Sequence, residues 1–331
     1  MPIIKTENLT KNYDYYSKEQ GLRNSFKNIL NRKKLIKEAV KSISFSVDAG
    51  EIVGFIGPNG AGKTTTLKML SGIIVPTDGV ALVNGFTPWE RKKQFKMNFA
   101  VVMGQKTQLN WDLPALETFN LNKHIYEISD ADYKNTLGEL TELLEVGDLM
   151  KKQVRRLSLG ERMKMEFIAS LLHKPKVLFL DEPTIGLDLF SQRTIREFIK
   201  SYNRMTNATI LLTSHYMNDI ESLCKRSIII NEGKIAYDGN LSGISDTLNQ
   251  LKLIKIQFHE NVPENEISKY GDIKEYDGLS AVIEVDKGVL KERSKEILDN
   301  MPVVDFNIED IPIEEAISLI YEKGGGAYEE P

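Results

Sequence analysis

The chain has 331 residues, a length that accommodates two domains at roughly 100 to 200 residues each. Forty-three Lys and Arg against 47 Asp and Glu leave a net charge of −4, which excludes a generally basic surface for nucleic acid. A single cysteine, Cys224, excludes an internal disulfide and a Cys-rich zinc site, and no run approaches the ~18 apolar residues of a membrane span.

Near the start, Leu22, Phe26, Ile29 and Leu30 fall at helical spacing. From Ser17 to Glu38 seven basic residues face two acidic ones, so an amphipathic segment with a local charge of +5 is expected there. Such a segment suits a membrane surface or a cytoplasmic loop of a membrane partner, and equally a solvated helix packed on its own domain. Val53 to Ile56 is a short apolar run, followed by glycines and then by Leu67, Leu70 and Ile74 at helical spacing. Between residues 112 and 174 the spacing is helical: Leu116 and Phe119, then Leu137, Leu140 and Leu144, then Met163, Phe167 and Leu171. Val177 to Leu180, Ala208 to Thr213 and Ser227 to Ile230 are buried-strand candidates, with Ile195, Phe198, Ile199 and Tyr202 forming one helix face between the first two. The pattern predicts strands alternating with helices around a largely parallel sheet, interrupted by a helical insert.

A hairpin is expected at residues 233–239. Beyond it, Leu253 to His259, Ser280 to Asp286 and Val303 to Ile308 read as strands, and Val289 to Leu298 and Ile313 to Ile320 as helices. The order suits a separate ferredoxin-like α+β domain over 244–323. The Gly-rich, acidic end, 324–331, reads as a disordered tail.

Gly57-Pro58-Asn59-Gly60-Ala61-Gly62-Lys63-Thr64 fits G-x-x-x-x-G-K-[ST] between a predicted strand and a predicted helix. In that context backbone N–H groups and a helix N-terminus cradle phosphates, Lys63 reaches the β- and γ-phosphates, and the Thr64 hydroxyl ligates Mg²⁺. Val177-Leu178-Phe179-Leu180-Asp181-Glu182 delivers two carboxylates at a strand end, Asp181 for Mg²⁺ and Glu182 to polarise a water in line with the γ-phosphate.

With these motifs, the sequence resembles the ATP-binding-cassette (ABC) ATPases over about residues 3 to 240. Leu157-Ser158-Leu159-Gly160-Glu161 resembles the family signature, with Leu159 and Glu161 departing from the usual Gly and Gln. Gln105 matches the Q-loop, Gly186-Leu187-Asp188 the D-loop with Gly186 for the usual Ala, and His215 the switch histidine. Tyr13 stands where the family stacks an aromatic on adenine, with Tyr15 and Tyr16 close by.

The resemblance implies an α/β fold, the P-loop NTPase ABC cassette. Its mainly parallel sheet core would carry an antiparallel β part and a helical insert over about 106–174, within a domain spanning 1–243. The α+β C-terminal domain would follow, and residues 14–40 would be an insertion. ATP and Mg²⁺ are the implied ligands. Glu182, His215 and Gln105 are the implied catalytic residues, and Thr64, Gln105 and Asp181 the metal ligands. Tyr13, Gly57 to Thr65 (Thr65 included), Ser158, Gly160 and Asp188 would contact nucleotide. Ser158 and Gly160 open a helix whose N–H groups would take a phosphate from a second cassette. One phosphate loop per chain then implies a second copy or a paralogous ATPase as partner.

The resemblance further implies polytopic membrane permease subunits above a cassette held peripherally on the cytoplasmic side of the membrane. The Gln105-to-Pro114 stretch is similar to bacterial exporter ATPases of a viologen-exporter-like subgroup, with Trp111 as an exposed anchor for the permease or, equally, a residue buried in the helical insert. The alternatives are a polysaccharide or glycan exporter, a soluble non-transport ABC ATPase and an ABC importer.

Overall fold

The computed structural model describes residues 2–16, 34–214, 216–241 and 251–312, together with Glu315, Ile317 and Tyr321. The chain divides into two compact units, Met1–Asp238 and Gly239–Gly324.

The first unit opens with two long strands, β1 (Pro2–Tyr16) and β2 (Lys34–Asp48), paired antiparallel with Tyr13 opposite Lys37 and Tyr16 opposite Lys34. The two ends of the expected 14–40 insertion lie in this ladder. Asp14 to Tyr16 and Leu35 to Val40 continue the strands, because each pairs its backbone across the hairpin. The helix expected at Leu22 to Leu30, and most of the basic segment, lie outside the described residues.

The apolar run at β3 (Ile52–Ile56) leads through the glycine loop into α1 (Lys63–Leu70). Leu67 and Leu70 join the core as expected, but Ile74 lies beyond the helix. Gly72, at φ +70°, turns the chain just after the Ser71 cap and releases it from the helix. Strand β4 (Asp78–Val83) completes a three-stranded antiparallel sheet in the order β2-β1-β4. A short helix, α2 (Lys93–Lys96), precedes β5 (Phe99–Met103).

The helical insert follows as α3 (Ala115–Ile125), α4 (Asp130–Leu144) and α5 (Leu159–Leu171). Ser129 and Ser158 cap the last two with their hydroxyls. Phe119, Leu140, Leu144, Met163, Phe167 and Leu171 are buried.

The remainder alternates: β6 (Val177–Asp181), α6 (Leu189–Thr206), β7 (Thr209–Thr213), α7 (Met217–Leu223), β8 (Arg226–Asn231) and β9 (Lys234–Asn240). The six-stranded sheet has the order β5-β6-β7-β3-β8-β9, with every pair from β5 to β8 parallel. Its inner strands are unbroken apolar runs because elements cover both faces. The two phosphate-site strands, β3 and β6, are separated by β7 alone, so their C-terminal ends deliver the glycine loop and Asp181 side by side.

The second unit contains β10 (Leu251–Phe258), α8 (Glu264–Ile267), β11 (Asp272–Tyr276), β12 (Ser280–Asp286), α9 (Leu290–Asn300) and β13 (Val303–Asp310). Its antiparallel sheet runs β11-β12-β10-β13, the split βαβ arrangement of a ferredoxin-like layout, over a core of Ile254, Ile256, Ile283 and Ile297. The helix expected at 313–320 falls almost wholly outside the described residues, as does the tail. No helix among the described residues is long and apolar enough to cross a membrane.

Candidate functional site

The glycine loop bends where the backbone requires it. Gly62 takes φ +114° as the residue before α1, and a Cβ there would lie 2.6 Å from the Ala39 carbonyl oxygen. Gly62 offers no side chain to cap the helix, so the first-turn N–H groups of α1 face the loop. Gly60, at φ +83°, has open space where its Cβ would stand. An uncapped helix N-terminus beneath a glycine concavity is a receptor for phosphate oxygens.

A cavity of about 230 Å³ lies over this loop, lined by Asn59, Gly60, Gly62, Lys63, Thr64, Thr65 and Glu182 and by Tyr13, Lys37 and Ala39 of the first two strands. Tyr13 lines it, and its ring lies 5.3 Å from the Lys11 ammonium. The Lys63 side chain is buried and donates to the carbonyl oxygens of Gly57 at 2.6 Å and Pro58 at 3.2 Å. Burial lowers its pKa from the ordinary lysine value, opposed by the negative charges of Glu182 and Asp181. Gly57, Pro58 and Ala61 shape the loop from behind without lining the cavity.

Asp181 Oδ1 accepts hydrogen bonds from the hydroxyls of Thr64, at 3.2 Å, and Thr213, at 2.8 Å. One hydroxyl and one carboxylate of hard oxygen beside a phosphate cradle fit Mg²⁺, which takes few protein ligands and completes its shell with water and phosphate. Glu182 follows at φ +54°, a left-handed conformation rare for a residue with a side chain. Its N–H, donated to the Thr213 carbonyl at 3.0 Å, holds it there. The carboxylate at the cavity wall can accept a proton from an attacking water.

Gln105 is placed differently from the expectation. It is exposed in the turn after β5 and does not line the cavity. Its neighbour Gly104 is the point of contact, donating its N–H to the Asp181 carbonyl at 2.9 Å. His215 lies outside the described residues.

Ser158, Gly160 and Asp188 form a second locus, apart from the residues lining the cavity. Asp188 caps α6 through the Ser191 N–H and hydroxyl, and these bonds hold its carboxyl below the usual range. Gly160 packs so closely that a Cβ would come within 2.2 Å of Ser191 Oγ. At Ser158 the N–H donates to Glu161 Oε2 at 2.7 Å, while the hydroxyl accepts from the Glu161 N–H. This is a capping box of the S-x-x-E type, readable in residues 158–161.

Sequence reasoning missed the buried cluster behind both loops. Asp219, fully buried, accepts from the hydroxyls of Thr184 and Ser214 and from Arg196 Nη1 at 2.9 Å. Lys37 and Ala39 were also missed, because only the strand register brings β2 to the cavity.

Residues 40–185 match the family described as ABC transporter, and residues 250–309 the family described as EvrA-like ABC transporter, C-terminal domain. The ABC transporter ATP-binding protein NatA of Bacillus subtilis (strain 168) is 33% identical over 229 residues, covering 68% of this chain and 93% of NatA. The bacitracin transport ATP-binding protein BcrA of Bacillus licheniformis is 34% identical over 233 residues, 70% of this chain and 68% of BcrA. The linearmycin resistance ATP-binding protein LnrL of Bacillus subtilis (strain 168) is 33% identical over 220 residues, 66% and 70% of the two chains. Among solved structures, an ATP-binding subunit of an ABC transporter superimposes with a TM-score of 0.62 at 24% identity, over 75% of this chain and 93% of that one. A dimeric, post-hydrolysis ATP-binding cassette bound to ADP and Pi superimposes with a TM-score of 0.59 at 21% identity, over 72% and 98%. The fold, the loop-and-carboxylate geometry and these relatives agree that the chain belongs to the ABC transporter ATP-binding family and is an ATP-binding, ATP-hydrolysing cassette.

Proposed function

We propose that the chain is the ATPase subunit of an ABC exporter, working as a head-to-tail dimer beneath separate polytopic membrane subunits on the cytoplasmic side. The observation that carries this reading is the division of the site. The phosphate cradle is lined by none of Ser158, Gly160 and Asp188, and this reading gives that second locus, once the Glu161 cap yields, to a nucleotide held by another copy. The direction rests on relatives whose names refer to linearmycin resistance and bacitracin transport.

In this reading Lys63 gives up its bonds to Gly57 and Pro58 for the β- and γ-phosphates, and Tyr13 stacks on the base. Thr64 and Asp181 hold Mg²⁺, which neutralises phosphate charge when bound. Glu182 takes the proton of the attacking water. Gln105 and His215 are assigned from the family resemblance, Gln105 as the link to the membrane subunits.

The test is complementation. Lys63→Ala and Ser158→Ala proteins, each inactive alone, regain part of the ATPase activity when mixed, because every mixed dimer holds one intact composite site. No recovery in confirmed mixed dimers overturns shared sites. Affinity capture of the tagged chain from gently solubilised membranes of its host recovers a stoichiometric polytopic protein; recovery from the soluble fraction alone overturns the transporter role.

A further inference from the structure

The helix that begins at Ser158 carries a buried acid two turns further on. Glu166 is 4% exposed, and its described carboxylate partners are neutral donors from the segment after Gln105. The Thr107 hydroxyl donates to Oε1, and the Gln108 N–H donates to both oxygens, at 3.1 and 3.3 Å. The Gln108 side-chain amide then reaches the same helix, donating to Ser170 Oγ at 2.6 Å and to the Glu166 carbonyl at 3.3 Å. Thr107 Oγ1 also accepts the Leu109 N–H at 3.1 Å, and the Leu109 side chain is buried.

Fastening continues along the segment. The Trp111 ring, 46% exposed, lies under the Arg162 guanidinium of the same helix at 4.4 Å. The Trp111 carbonyl accepts from the Arg155 N–H and the Leu113 carbonyl from the Val154 N–H, both at 3.0 Å. A buried carboxylate is an expensive way to fill space, since an apolar side chain of similar volume packs without desolvating a charge. What it supplies here is several directional bonds to one loop, which an apolar residue cannot make.

We propose that Glu166 is a positioning residue that makes Thr107–Trp111 part of the helix headed by Ser158, so that any nucleotide-driven shift of that helix carries the loop, and its exposed Trp111, with it. The loop is then free to hinge only at Gly104–Lys106, where Gly104 holds the Asp181 carbonyl. This rests on the proposed function, in which nucleotide moves the Ser158 end and the membrane subunit reads the loop.

The experiment is hydrogen exchange with mass spectrometry on the full chain, with and without AMP-PNP and Mg²⁺, in wild type, Thr107→Ser, Thr107→Val and Glu166→Ala. In wild type the peptide over residues 105–110 is protected, and it changes together with the peptide over 158–163 when AMP-PNP binds. In Thr107→Val and Glu166→Ala, residues 105–110 exchange at least about ten-fold faster and stop responding to AMP-PNP, while 57–65 and 158–163 respond as in wild type. Thr107→Ser restores wild-type behaviour. Unchanged protection and response of 105–110 in both Thr107→Val and Glu166→Ala overturn the proposal, and Thr107→Val decides it if Glu166→Ala does not fold. Failure of 57–65 to respond in wild type sinks the nucleotide reading instead, and the nucleotide-free exchange of 105–110 still decides whether Glu166 fastens the loop.

Discussion

The hydroxyl of Ser214 donates to the carboxylate of Asp219 at 2.7 Å, tying the end of β7 to the helix that follows it. The same carboxylate takes the Thr184 hydroxyl, two residues after Glu182, and the Arg196 guanidinium. One buried acid thus fixes the loops on both sides of the Glu182 carboxylate. Removing it leaves Arg196 and two hydroxyls without that partner, so Asp219→Ala loses about 3–5 kcal/mol in urea denaturation. ATPase activity falls at temperatures where the variant is still folded.

Glu182→Gln keeps the size and the backbone position of the residue and removes the base. Steady-state ATP hydrolysis falls by roughly 10²–10⁴-fold, while ATP binding persists and gel filtration with ATP shows an accumulated dimer. Wild-type turnover in this variant refutes the assignment.

Lys63 makes the cradle cationic at the expense of the fold. Burial lowers its pKa in the native state, so the native state disfavours the ammonium relative to the unfolded chain. That penalty is present throughout the pH range below the lowered pKa. It fades as pH rises through that value toward the ordinary lysine pKa of ~10.4. Lys63→Met is therefore at least as heat-stable as wild type at neutral pH, loses the relative alkaline gain, and gains no thermal shift from added ATP.

Two glycines of one loop respond oppositely to a methyl group. A Cβ on Gly57 would lie 2.2 Å from the Ile230 carbonyl, a backbone atom of the sheet that cannot turn aside. Gly57→Ala lowers the unfolding midpoint sharply. Gly60→Ala meets no atom within 4 Å and carries only the left-handed backbone strain, about 1–2 kcal/mol. It stays folded, and the loss appears in ATP affinity.

Glu161 places a carboxylate at the helix end that the proposed dimer offers to phosphate. Glu161→Gln keeps the reciprocal cap but removes the charge, weakening the helix by about 0.3–1 kcal/mol. ATP-dependent dimerisation, followed by light scattering, then occurs at lower ATP concentration.

The sequence made legible whatever depends on local pattern. The strand at Val177 to Asp181, the loop from Gly57 to Thr64 and the alternation of residues 251–310 each state their structure within a few residues. What it hid depends on pairing at long range. Lys37 reaches the cavity only through its register with Tyr13, and Glu166 meets Thr107 across 59 positions. Ile74 was misplaced because apolar spacing continues past a glycine that stops the helix. Glu161 departs from the family signature, and its bond to Ser158 follows a local rule legible within four residues.

The β1–β2 ladder carries two of the cavity-lining side chains, one from each strand. Tyr13 and Lys37 face one another three rungs below the last described pair, Tyr16 and Lys34, from which residues 17–33 depart and return. Three rungs of strand span roughly 10 Å. Tyr13 and Lys37 therefore stand on opposite strands of one ladder, and a slip of its register would displace both from the cavity they line together.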